Sequence, residues 1–99
     1  MDPQHLLDEL LQAAKRLGVE VRSELFETPA AMGGGLCLVR GEHLVLIDQR
    51  APLPDRLLVV ARALVDLGSE RSESVYMAPE ARELVESVRV VVAPRATAT

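Results

Sequence analysis

Ninety-nine residues suffice for one small domain, and eleven basic against fifteen acidic side chains, with no basic run longer than Lys15-Arg16, exclude the electrostatic footprint of a nucleic-acid-binding protein. The apolar fraction of 48% supplies a core, but Phe26 and Tyr76 are the only aromatic residues, so that core is built from Leu, Val, Ala and Ile, without stacking platforms for bases or sugars. No apolar run has the length of a membrane span or the setting of a signal peptide, one cysteine makes no internal disulfide, and ten of the eleven basic residues are Arg; together these predict a cytoplasmic bacterial protein.

Leu6, Leu7, Leu10, Leu11, Ala14 and Leu17 recur at helical spacing, which predicts a first helix over residues 3–17, capped by Asp2, opened by Pro3 and ended by Gly18. Val19 to Arg22 alternates apolar with polar, and Leu25-Phe26 follows before Pro29, the pattern of an edge strand with one wet face. Gly33-Gly34-Gly35 then forbids a regular element over residues 28–35 and predicts a flexible connector. Residues 36–48, "LCLVRGEHLVLID", predict a hairpin; with Gly41 at the first central position of a type II′ turn, Val39 opposes Leu44 and Cys37 opposes Leu46. Leu38 with Val45 and Leu36 with Ile47 fall on the other face, so both faces are apolar. Such a hairpin belongs at the centre of a fold, with helices on one face and either a third helix or a second subunit on the other.

Leu53-Pro54-Asp55 opens a second helix that runs to about Leu67 before Gly68. Its broad apolar arc of Leu57, Leu58, Val60, Ala61, Leu64, Val65 and Leu67 makes it the most buried helix, with Asp55, Arg56, Arg62 and Asp66 beside Val59 and Ala63 on the remainder. Residues 69–74 form a solvated loop, and Val75 to Met77 is extended. Pro79-Glu80 opens a third helix through Leu84, Val85 and Val88; residues 90–92 prefer a strand locally but follow no turn, and Pro94 ends the regular structure. The predicted architecture is a single α+β domain over residues 1–93, in the order α-β-β-β-α-α. Its sheet is three-stranded and mainly antiparallel, with the hairpin central and helices packed against it, and residues 94–99 form a disordered tail.

Four groups of residues invite a chemical reading. Cys37 and His43 stand about 10 Å apart on the predicted hairpin at ~3.3 Å per residue, too far for a nucleophile and its base, and Cys37 reads as a small core hydrophobe. His5, His43 and Cys37 are the whole supply of nitrogen and sulfur ligands and lie on separate elements, so neither a metal nor a cofactor is expected. Gly33, Gly34 and Gly35 have the freedom of an anion-holding nest, but a strand follows them instead of a helix, and they read first as a mobile connector that closes over a partner second. Glu80, Glu83 and Glu86 share a helix face and read as its solvated side.

The frame Ala61-Arg62-Ala63-Leu64-Val65-Asp66-Leu67, with the lead-in of residues 43–61 and the order helix, three strands, helix, resembles the ImmA/IrrE family of zinc peptidases over residues 3–68. That family has a reduced zincin core whose helix after the hairpin carries H-E-x-x-H. The resemblance sets its first His at Arg62, its Glu at Ala63 and its second His at Asp66. Arg does not ligate a cation, Ala does not activate water and a lone Asp does not make a metal site, so what the resemblance implies is an inactive, zincin-like scaffold with a protein-binding role. The leading expectation is a non-catalytic domain that acts through protein contacts and associates with itself as a homodimer. The alternatives are that zincin-like regulatory domain, and a small hydrolase or ligand-binding domain whose site lies between Gly33-Gly34-Gly35 and the second helix, with Arg62 holding an anion and Asp66 as base.

Overall fold

Helix α1 (Pro3–Arg16) begins where its capping residues set it: the Asp2 carboxylate accepts the His5 backbone N–H at 2.9 Å, and Pro3 fills the first turn, where a missing N–H costs nothing. Its far end closes through Leu17, and Gly18 takes φ +78° to redirect the chain. The computed structural model describes residues 1–25, 34–68 and 74–97, with residues 91–97 as backbone only. After α1 come strands β1 (Glu20–Glu24), β2 (Gly34–Val39) and β3 (Glu42–Asp48), then helices α2 (Leu53–Asp66) and α3 (Pro79–Thr97), the α-β-β-β-α-α order expected of an α+β chain. Phe26, Gly33 and most of the 28–35 connector and the 69–74 loop lie outside the described residues.

The strands form one three-stranded sheet in the order β1-β3-β2. β1 lies at an edge, as its alternation predicts, but it runs parallel to β3, with Val21 beside Val45 and Ser23 beside Ile47, while β2 is antiparallel to β3. The expected mainly antiparallel sheet with a central hairpin is therefore corrected to a mixed sheet in which only β3 is central and β2 is the second edge. Composition agrees with this order: the uninterrupted apolar run Leu44-Val45-Leu46-Ile47 suits the central strand, whereas β1 carries Glu20, Arg22 and Glu24 and suits an edge.

The hairpin turn also differs from expectation. Arg40 and Gly41 are its two central residues, both at positive φ (52° and 81°), a type I′ turn that matches the twist of the strands. Val39 thus opposes Glu42, Cys37 opposes Leu44, and Leu36 opposes Val45. The slip from the predicted register is even, so every side chain keeps its predicted face.

Val45 and Ile47 point to the helices and are buried, with Val21 and Leu36 packed beside them. Helix α1 packs on β1, α2 packs on β2 and β3, and α1 and α2 pack on each other, so both helices cover the same face. α2 is the hub, touching both other helices and two strands. Its buried residues are Val59, Val60, Ala61, Ala63 and Leu64, while Leu58 is 43% exposed. Val59 and Ala63 therefore belong to the core and Leu58 does not. A helix pressed between a sheet and two other helices is buried on more than one side, which a single apolar arc does not describe.

Helix α3 packs on α2 and α1, through Ala81 and Val85 at its buried face. It runs through residues 90–93 and past Pro94, where the sequence reading ends regular structure, to Thr97. Once a helix is nucleated at Pro79, propagation outweighs the local strand preference of consecutive valines.

Candidate functional site

Successive turns of α2 carry Leu58, Arg62 and Asp66 along one stripe, with Val59 and Ala63 beside it. Facing that stripe is the start of β2. Between them lies a cleft of about 250 Å³ lined by Gly34, Gly35, Leu36 and these five α2 residues. The structure thus brings Gly34, Gly35, Arg62 and Asp66 to one place, while Gly33 falls outside the described residues.

Arg62 Nε lies 4.0 Å from Asp66 Oδ2, with the two side chains 38% and 43% exposed. That separation is at the outer limit of an ion pair, and an exposed i, i+4 pair with the cation first contributes at most a few tenths of a kcal/mol. Both groups are half in water, with hydrogen-bonding capacity left over. Gly34 has a backbone reason for its identity: at φ +134° a Cβ would fall 1.9 Å from the Leu46 carbonyl oxygen. Gly35 has open space around its Cβ position and alternates onto the face away from the helices, so it lines the cleft with backbone alone. In chemical terms the cleft offers one guanidinium, one carboxylate and an apolar floor, enough to hold a small anion or an extended chain.

The remaining candidates are dispersed. Cys37 shares the outer sheet face with Leu44, whereas His43 opposes Leu38 on the helix side, so the two are separated by the sheet itself and not by distance along it. His5 lies 3.8 Å from Glu9 on the same helix. Glu80 meets the Met1 ammonium at 3.1 Å, Glu86 meets Arg89 at 3.4 Å, and Glu83 is exposed. Among the described residues no three His, Cys, Asp or Glu side chains gather as a metal site.

The sheet face turned away from the helices is the second notable surface. Cys37, Val39, Leu44 and Leu46 alternate onto it, and none of them belongs to the packed core. Glu20 and Arg22 flank it as a hydrogen-bonded pair, and the Glu20 carboxylate raises the Arg22 pKa above its usual value through that bond and its charge. α3 packs on α1 and α2, so the expectation that a third helix might cover this face is not met.

Leu36, Leu58, Val59 and Ala63 were not singled out as cleft residues from sequence. The i, i+4 spacing of 58/62/66 and 59/63 carried the signal for the helix side; the neighbouring strand is set by tertiary pairing. No protein family, curated protein or solved structure matches the chain.

Proposed function

We propose that the protein is a non-catalytic domain that works through protein contacts, the first of them with a second copy of itself. The observation that carries this reading is the one-sided sheet, with helices on one face and the apolar strip Cys37, Val39, Leu44 and Leu46 on the other. A sheet with one bare apolar face associates more readily than one covered on both sides. The lone cysteine and the Arg-rich composition support a cytoplasmic, bacterial setting. Light scattering coupled to size-exclusion chromatography tests the reading: at high micromolar concentration the expected mass is twice 10.8 kDa, and a monomer there removes it.

A second reading is a ligand-binding cleft between β2 and α2, supported by the meeting of Gly34, Gly35, Arg62 and Asp66 around one cavity. Arg62 would hold an anionic group and Asp66 would accept a hydrogen bond from an N–H or O–H elsewhere on the ligand. Amide shifts at Gly34, Gly35 and Arg62 on titration with small carboxylates, lost in Arg62→Ala, are the expected result; shifts unaffected by that substitution would sink it. The zincin-like regulatory reading rests on the resemblance of residues 3–68 alone; Arg62, Ala63 and Asp66, the positions of the H-E-x-x-H frame, line that same cleft.

A further inference from the structure

The two edges of the sheet are built differently. β1 carries Glu20, Arg22 and Glu24, charges that discourage a strand from another chain. β2 reads Gly-Gly-Leu-Cys-Leu-Val from Gly34 to Val39, with neither a charge nor a proline. The two-residue loop makes Val39 and Glu42 the hydrogen-bonded pair beside the turn. Alternation then turns the N–H and C=O groups of Gly35, Cys37 and Val39 to β3, and those of Gly34, Leu36 and Leu38 away from it. Among the described residues no strand takes up this second row. Exposed apolar side chains border it: Leu38 is 66% exposed, Val39 48%, and Leu58, across the cleft from Leu36, 43%.

We infer that β2 pairs antiparallel with β2 of a second copy about a two-fold axis, joining two three-stranded sheets into one of six strands. The inference rests on the self-association proposed above and places its contact at the sheet edge, leaving the outer face free. Charge selects the occupant: β1 of another copy would set charged residues of its Glu20, Arg22, Glu24 row against the uncharged residues of β2, whereas β2 against itself brings no charge opposite an apolar residue. With the axis at Cys37, Leu36 of each copy stands opposite Leu38 of the other, and Val39 stands opposite Gly35, whose Cβ position is open. Centring the axis on Leu36 instead sets Leu38 against Gly34 and buries less apolar surface. The paired sheet also merges the outer faces of the two copies into one surface for further protein contacts.

Light scattering and amide hydrogen exchange on the full chain, on Leu38→Pro and on Leu46→Glu test the pairing. The Leu38 N–H points away from β3, so proline there removes no bond within the chain. Leu38→Lys repeats the test with a charge at the same exposed position, and circular dichroism checks that each variant folds. The expected result is a dimer about 100-fold weaker in both position-38 variants and within about threefold of wild type in Leu46→Glu. Exchange at Leu36 and Leu38 should slow at least about tenfold between dilute and concentrated protein. A dimer that survives both position-38 variants, one lost in Leu46→Glu, or unchanged exchange at Leu36 and Leu38 overturns edge pairing and leaves self-association standing. A monomer throughout overturns both.

Discussion

Gly34 is the position at which the fold is least tolerant. Its φ of +134° and the 1.9 Å approach of a would-be Cβ to the Leu46 carbonyl oxygen mean that Gly34→Ala must move backbone, not a flexible side chain. A loss of about 3 kcal/mol or more is expected in urea denaturation, while Gly35→Ala, with open space, stays within about 1 kcal/mol of wild type. Arg40 poses the opposite case. At φ 52° in a type I′ turn it occupies a place where Asn is preferred, so Arg40→Asn, which creates Asn-Gly, should stabilise by about 0.5–1 kcal/mol, readable as a rise in the denaturation midpoint. The same residue explains why the hairpin was legible but its register was not. A single Gly within Arg-Gly-Glu does not say whether it stands first or second in the turn, and an arginine at positive φ is not what propensity predicts.

At the scale of elements, α1 was legible from end to end because Asp2, Pro3 and Gly18 are local signals acting on local geometry. The parallel alignment of β1 was not, since strand neighbours are chosen by packing between distant segments and leave no mark on either strand's alternation. α2 shows both sides of this. Its existence follows from periodicity, yet the assignment of Leu58 inward and Val59 outward fails because the helix is enclosed by partners in three directions. The energetic contrast is measurable. Leu64, 1% exposed, should cost about 3 kcal/mol on truncation to Ala, whereas Leu58, 43% exposed, should cost less than about 1 kcal/mol in thermal or chemical unfolding of the monomer.

For the molecule as a whole, the candidate cleft was half legible. Arg62 and Asp66 were visible as a polar stripe, and the glycines as a special segment, but their meeting depends on β2 taking an edge beside α2, which only the assembled sheet decides. Self-association carries its own signature at this scale. A protein that dimerises gains stability by mass action, so its melting temperature should climb with concentration, and a flat melting curve across a hundredfold dilution would count against a dimer.

The layering of the helices has a consequence for how the molecule comes apart. α3 is fastened to α1 and α2, not to the strands, and two arginines tie down the segment that leads into it: Arg16 Nη1 donates to the Tyr76 carbonyl at 3.2 Å with its guanidinium 5.8 Å from the ring centroid, and Arg82 Nη2 donates to the Val75 carbonyl at 2.7 Å. Hydrogen exchange is expected to show amides of α3 opening before those of β3 and α2, because this helix packs on one side only; uniform protection across the three would mean a single cooperative unit. The departure of α3 would open the faces of α1 and α2 that it covers, and what resists that opening is the burial of Ala81 and Val85 together with the Arg16 clasp, since the Arg82 bond to Val75 travels with the helix.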